Sequence, residues 1–330
     1  MPANLPPEYR EAEKRYRQAR TVAEKIEALE HMLAVMPHHK GTDHLRAELR
    51  SKIARLSEEG QRQQGGARAN LYSVRKEGAG QVVVLGPPNV GKSQLVATLT
   101  GAPLRVASYP FTTQQPCPAM LPYENIRIQL VDLPPVVADG TPGWVRPLVR
   151  QADLLLLVVD LAGDPLADLD TLLGELTAMR VEPVARAAPA PPNAWIAQKA
   201  ALVVGNKLDA PDAAEVYPLL VEACAERFPT LAVSATAGTG LEALRHELFR
   251  RLDIVRVYTR APGQPVDRTR PFVLRRGETL EALAEAIHKG WRDRLRYAQV
   301  WGAGKFQGQR VSRYYTPEDE DVVELALEGQ

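Results

Sequence analysis

The octapeptide Gly86-Pro-Pro-Asn-Val-Gly-Lys-Ser93 constrains this chain more than any other stretch. It follows Gln81-Val-Val-Val-Leu85, a short apolar run rich in β-branched residues, and precedes Gln94–Leu99, whose apolar residues recur at helical spacing. Strand, glycine-rich loop and helix together form the context in which G-x-x-x-x-G-K-[ST] becomes a phosphate-binding loop. The glycines let backbone N–H groups close around a phosphate, and the helix N-terminus adds partial positive charge. Lys92 is expected to reach the β- and γ-phosphates and the Ser93 hydroxyl to ligate Mg²⁺. Gly86, Asn89, Val90, Gly91 and Gln94 complete this part of the expected nucleotide-binding set.

The segment from Gln81 to about Asp253 alternates strand-like and helix-like runs. Strands are expected at Gln81–Leu85, Ile126–Val131, Asp153–Val159, Ala201–Val204 and Leu231–Val233. Helices are expected at Lys92–Leu99, Pro165–Met179, Ala213–Arg227 and Leu241–Leu252. This is an α/β pattern, a mainly parallel sheet with helices on both faces. The proline-rich run Pro183–Pro192 breaks the alternation and reads as a surface insertion. Ahead of this domain, apolar or small residues from Tyr9 to Met36 recur every three or four positions, which predicts one long helix ending at Pro37. Leu45, Leu49, Ile53 and Leu56 mark a second helix, so residues 1–60 are expected to form an αα-hairpin. His38, His39 and His44 lie near its turn with no cysteine or carboxylate to complete a metal site. Residues 61–80, Gln/Gly/Arg-rich, read as a linker, and 81–253 as the nucleotide-binding domain. After Asp253 the texture becomes that of a small α+β domain, 254–330, with one helix at Thr279–His288.

Asn206-Lys-Leu-Asp209 directly follows an apolar strand and selects the base. The Asp209 carboxylate can accept both guanine N–H groups, a pair that adenine cannot offer. Asn206 would hold the loop or reach the guanine, the stem of Lys207 would cover the base, and Ser234-Ala235 would add a backbone donor. GTP or GDP is therefore the expected ligand. Asp132 ends a strand where a carboxylate can hold a Mg²⁺-bound water. Tyr109-Pro-Phe-Thr-Thr113 lies between, and a mobile segment there can present a threonine to Mg²⁺. Thr112 and Thr113 are the two threonines it holds.

Composition narrows the rest. The 45% hydrophobic and 25% charged fractions are those of an ordinary globular protein, and a net charge of +1 leaves nucleic-acid contact to local patches. Cys117 and Cys224 form no metal or redox spacing. No run is long enough to span a bilayer, and the polar opening does not read as a signal peptide. A cytoplasmic monomer is expected, with no membrane or DNA partner.

Taken together, the phosphate loop, Tyr109–Thr113, Asp132-Leu-Pro134 and Asn206–Asp209 resemble the Obg-related GTPases, closest to the developmentally regulated GTP-binding proteins. Val255–Thr259, Ile287–Lys289, Tyr297–Gly302 and Glu318–Val323 resemble their TGS domain, and the N-terminal helices match that family's helical region. The resemblance implies a translation-associated GTPase docked on ribosomes or structured RNA. It also implies that Asn89 holds K⁺ near the phosphates and that Thr113 is the switch threonine, with Thr112 the alternative. One position departs from the family's Asp-x-x-Gly: Pro135 has no N–H to offer a γ-phosphate. Val136 and Val137 follow, so no side chain stands out as a base, and hydrolysis is expected to be slow or absent. A guanine-nucleotide sensor without turnover is the alternative, and an ATPase or nucleoside kinase a third reading that Asn206–Asp209 disfavours. Arg268, Arg270, Arg275, Arg276, Lys305, Arg310 and Arg313, with Trp301, Phe306, Tyr314 and Tyr315, are the candidates for a basic RNA-facing surface, against which stands a core role for the aromatics.

Overall fold

Leu154-Leu-Leu-Leu-Val-Val-Asp160 is apolar on both of its faces, a pattern that suits only a strand covered by helices on both sides. A computed structural model describes residues 7–19, 22–36, 44–46, 48–53, 72–102, 115–138, 140–187, 195–302 and 307–328. The chain divides into two compact units, Met1–Asn70 and Leu71–Gln330.

In the first unit the single helix expected over Tyr9–Met36 is instead two, α1 (Pro7–Gln18) and α2 (Val22–Ala34), and residues 44–46 and 48–53 are also helical. A straight helix of that length would extend about 45 Å and leave its apolar stripe without a partner. Folding back sets Tyr9 and Ala12 of α1 with Leu29 and Met32 of α2, Met36 and Leu49 in one small core. His38, His39 and Leu56 lie outside the described residues.

The second unit holds two sheets. The larger runs β2 (Cys117–Tyr123), β3 (Ile126–Asp132), β1 (Gln81–Leu85), β4 (Leu154–Asp160) and β6 (Ala197–Asn206). On the outer side of β6, β5 (Val181–Val184) pairs with its first half and β7 (Thr230–Ala232) with its second. All pairs are parallel except β2–β3. Along β4, Leu154, Leu156 and Val158 enter one core with α3 (Lys92–Thr100) and α7 (Leu241–Arg251). Leu155, Leu157 and Val159 enter the other, with α4 (Val145–Gln151), α5 (Pro165–Ala178) and α6 (Ala213–Cys224). Helices on both faces of a mainly parallel sheet are what the alternation implied.

Two strands escape the sequence patterns because prolines interrupt them. Pro118 and Pro122 face solvent on β2 while Ala119 and Leu121 turn inward, and edge strands tolerate such prolines. Pro183 sits within β5, so the run expected as an insertion begins as a strand. Residues 72–80, expected as part of a linker, lie against the domain: Tyr72 stacks on Trp144 with ring centroids 4.7 Å apart, and Val74 packs on the second core.

The smaller sheet has the order β11 (Gln307–Ser312), β10 (Leu295–Trp301), β12 (Asp321–Leu327), β8 (Ile254–Thr259), β9 (Phe272–Arg275), with α8 (Leu280–Ile287) and the short α9 (Trp291–Arg294). Leu280, Leu283 and Ala284 of α8 pack on Val255, Val257, Val300 and Val323. This is the expected small α+β module, except that α9 is a short second helix where one helix was expected. Arg256 of β8 joins it to the larger sheet: its buried guanidinium pairs with Glu124 in the β2–β3 turn and with Asp319 and Glu320 at 2.8 and 3.0 Å. Tyr258 Oη accepts from Asn125 Nδ2 at 2.6 Å in the same turn.

Candidate nucleotide site

The first core anchors the rear of α3 through Leu95, Val96 and Leu99, which leaves its front end at the tip of β1. Gly91 precedes that helix with φ 87°, and no side chain caps it. The leading N–H groups of α3 are thus available to an anion. A Cβ on Gly91 would lie 2.5 Å from Asn206 Nδ2, and one on Gly86 would lie 2.5 Å from the Val158 carbonyl, so both positions admit only glycine. Asn89, also at positive φ (63°), is exposed at the loop's tip.

Lys92 is buried and folds across the loop, donating to the carbonyls of Gly86 and Pro87 at 2.8 and 2.9 Å. Burial pulls its pKa down to about 8, against the opposing pull of Asp132 and Asp168. The ammonium therefore sits without a carboxylate contact, ready to meet a phosphate. Ser93 Oγ donates to Asp132 Oδ2 at 2.5 Å. Asp132 is 1% exposed, burial pushes its pKa up, and its Oδ1 has no partner among the described residues. A buried carboxylate oxygen left bare beside a hydroxyl fits a hard divalent cation such as Mg²⁺, whose ligands are oxygens.

Downstream of Asp132, Pro135 contributes no donor, and the next amide, that of Val136, donates to the Gly86 carbonyl at 3.0 Å. The backbone after β3 is thereby tied to the start of the phosphate loop.

The base-side loops converge on the same end of the sheet. Asn206, 2% exposed, donates to the Val90 carbonyl at 2.8 Å and accepts from the Ala235 amide at 3.1 Å. Of the two roles open to Asn206, this geometry uses it to clasp the phosphate loop to the segment after β7, and the Ala235 N–H is engaged there. Lys207 (φ 66°) pairs with Asp160 at the end of β4, at 2.5 Å. Asp209 is exposed, accepting from Ser234 Oγ at 2.5 Å and Thr236 Oγ1 at 3.1 Å, and these bonds hold its pKa below the usual carboxylate value. One hydroxyl fixes each oxygen, and each oxygen keeps a lone pair for a further donor. Gln94 lies on α3 and bonds Thr98, which in turn donates to the Ala235 carbonyl at 3.0 Å. Thr112, Thr113 and the rest of Tyr109–Thr113 lie outside the described residues.

Several contributors were not singled out from sequence. Asp160 closes β4 as Asp132 closes β3, a repeated carboxylate at a strand end that could have flagged it. Thr236, two residues beyond Ser234, could have been read as a second hydroxyl for Asp209. The Val136 amide had no sequence signal beyond the missing donor at Pro135.

Among the described residues there is no group of three or more His, Cys, Asp or Glu placed to hold a metal. The aromatics considered for RNA separate by environment. Tyr315 packs on the core of the smaller sheet and donates to Asp321, Tyr314 is 67% exposed, and Trp301 is covered by Arg260 at 3.7 Å. Lys305 and Phe306 lie outside the described residues. No helix among the described residues is long and apolar enough to cross a membrane.

Comparison with known proteins gives matches across both sheets. A family model described as "50S ribosome-binding GTPase" matches residues 81–187, and one described as "TGS domain" matches residues 255–326. An uncharacterized GTP-binding protein of Methanocaldococcus jannaschii is 28% identical over 93% of this chain and 93% of its own length. Developmentally-regulated G-protein 2 of Arabidopsis thaliana is 26% identical over 92% of this chain and 91% of its own. Among solved structures, Era of Aquifex aeolicus with GDP and AlF₄⁻ overlaps 67% of this chain and 71% of that one at 19% identity and a TM-score of 0.42, too loosely to carry weight.

Proposed function

This is a GTP-binding protein that joins a GTPase domain to a TGS domain, with relatives that include developmentally-regulated G-proteins, and from that premise we propose a Mg²⁺-dependent GTP-hydrolysing switch acting on ribosomes or structured RNA. The observation that carries the reading is the bare Oδ1 of Asp132 beside Ser93, in front of an uncapped helix and a lysine free of carboxylate contacts. Ser93 and Asp132 would hold Mg²⁺, which when bound supplies charge neutralisation on the β- and γ-phosphate oxygens. Lys92 leaves the carbonyls of Gly86 and Pro87 for the phosphates. Asp209, preset by Ser234 and Thr236, accepts the two guanine N–H groups, and Asn206 keeps the base-side and phosphate-side loops in register. Thr113 serves as the switch threonine. Asn89, exposed at the loop's tip, would hold K⁺. The described helices between Pro7 and Ile53 would make up a helical module, ahead of a GTPase domain over 81–253 and a TGS domain over 254–330, in a cytoplasmic monomer.

Val136 and Val137 cannot relay a proton, so hydrolysis relies on positioning and charge rather than on a base. The description of the family model as a ribosome-binding GTPase supports the ribosomal side of the reading. A second reading is favoured by one observation. Without a donor at Pro135, and with the Val136 amide bonded to Gly86, the γ-phosphate lacks its usual backbone contact, which suits a sensor that binds GTP and does not turn it over.

One experiment separates them: GTP turnover by the full chain with Mg²⁺, in K⁺ and in Na⁺ buffer, alongside Asn89→Ala. The switch reading expects phosphate release that depends on K⁺ and falls in Asn89→Ala. Tight GTP binding with no release in either salt selects the sensor. Release that is equal in both salts and unchanged in Asn89→Ala removes the K⁺ role.

A further inference from the structure

The nucleotide loops sit where the parallel strands end. Where β1, β4 and β6 begin, the two sheets of the second unit enclose a cleft of about 1510 Å³, bounded by Gly80, Asp153, Ala197 and Arg275. Eight lysines and arginines line it against four aspartates and glutamates, an excess of four positive charges in a chain whose net charge is +1. The cations outnumber their partners locally. Lys76 and Arg275 share Asp153 at 2.5 and 2.9 Å, and Arg186 and Arg276 share Asp253 at 2.9 and 3.1 Å. Lys199 donates to the Ala152 carbonyl at 2.9 Å, and its pKa is held down by burial and then by the positive neighbours Lys76, Arg275 and Arg150.

An aromatic stands at the rim. Trp195 is 70% exposed, with the Arg180 guanidinium 3.4 Å from its ring centroid. Arg180 follows α5 at φ 59°, a helix-end position that glycine fills with less strain. Arg150, which lines the cleft, donates to the Arg180 carbonyl at 2.7 Å, so the stacked pair and the basic wall form one surface.

We propose that this cleft binds the phosphate backbone of an RNA, with an unpaired base stacked on Trp195. Concavity rules against the flat surface of a bilayer, which could not enter between the two sheets. An acidic peptide would answer the charge yet give Trp195 no planar partner, whereas an RNA loop supplies phosphates and exposed bases together. The inference rests on the RNA-facing reading above and adds the surface that meets the RNA, at the end of the sheet opposite the nucleotide.

The test is fluorescence anisotropy of a labelled RNA stem-loop titrated with the full chain over a range of KCl concentrations. Two variants are compared: Arg146→Gln/Arg186→Gln/Arg276→Gln, and Trp195→Ala. Arg186, Arg276 and Trp195 are exposed and Arg146 is half-buried, and unchanged GTP affinity and melting temperature will verify folding. The triple variant is expected to bind at least tenfold more weakly and to lower the log–log salt slope by about 2, at about 0.7 for each phosphate no longer neutralised. Trp195→Ala is expected to bind roughly tenfold more weakly with the slope unchanged, the size of one missing base stack. RNA binding that is equal in all three proteins overturns the cleft and leaves the RNA-facing reading standing. Absence of RNA binding by the unsubstituted chain overturns both. Binding to anionic vesicles but not to RNA, abolished in the triple variant, overturns RNA in favour of a lipid headgroup.

Discussion

Lys92 carries a consequence for pH. Its folded pKa of about 8 lies below the ordinary lysine value of 10.5, so the unfolded chain holds the extra proton between those limits. The contribution of Lys92 to stability without nucleotide is therefore lowest below about pH 8 and rises as pH climbs from 8 toward 10.5, by up to about 3 kcal/mol. Triphosphate binding runs the other way, because it needs the ammonium. GTP affinity is expected to fall as pH rises through 8, by up to about tenfold over the next unit. Fluorescent-nucleotide titrations from pH 7 to 9 check this, with Lys92→Met giving weak binding and no slope over the lower part of the range. The placement of Gly86, Gly91, Lys92 and Ser93 between β1 and α3 was legible because the loop is a local solution: its residues lie within eight positions. Asn206 was harder. Its two partners, Val90 and Ala235, lie on other loops, and no local pattern reveals which of two roles an amide side chain takes.

At the scale of elements, hydrophobic period decided what could be read. β4 and β1 are continuous apolar runs, and α5 shows its start openly, with Pro165 behind an Asp164 side chain that accepts from the Leu166 and Ala167 amides at 3.1 and 3.0 Å. β2 and β5 were hidden by prolines that only an edge accepts, and the split between α1 and α2 by a stripe that continues in phase across it. Arg256 on β8 shows what one strand contributes to joining two sheets. Arg256→Met removes the shared partner of Glu124, Asp319 and Glu320, whose side chains are 55%, 27% and 52% exposed and so regain water. The expected loss is about 2 kcal/mol, below the usual cost of breaking a fully buried pair. It should appear as a melting temperature lowered by roughly 5 °C with GTP affinity unchanged. A drop in GTP affinity would mean that the β2–β3 turn reaches the nucleotide loops.

For the whole molecule, the two units have separate cores with no residue in common, the first built on Tyr9, Ala12, Leu29, Met32, Met36 and Leu49. Calorimetry of the full chain is expected to show a small transition in addition to the main one, with only the main one moving up with GTP. A single transition that shifts as a whole would show that the units are coupled. The order of strands in the smaller sheet has a different consequence, one that belongs to synthesis. β12 is the last of the described strands along the chain, yet it lies between β10 and β8 in the sheet. While a ribosome is still making the segment before Asp321, β8–β9 and β10–β11 exist as two hairpins, each with a bare edge where β12 will pair. The larger sheet, complete by Ala232, can close long before. The nascent chain thus emerges with its larger sheet foldable and its smaller sheet in two unpaired halves, a window in which chaperones can bind and truncation does the most damage.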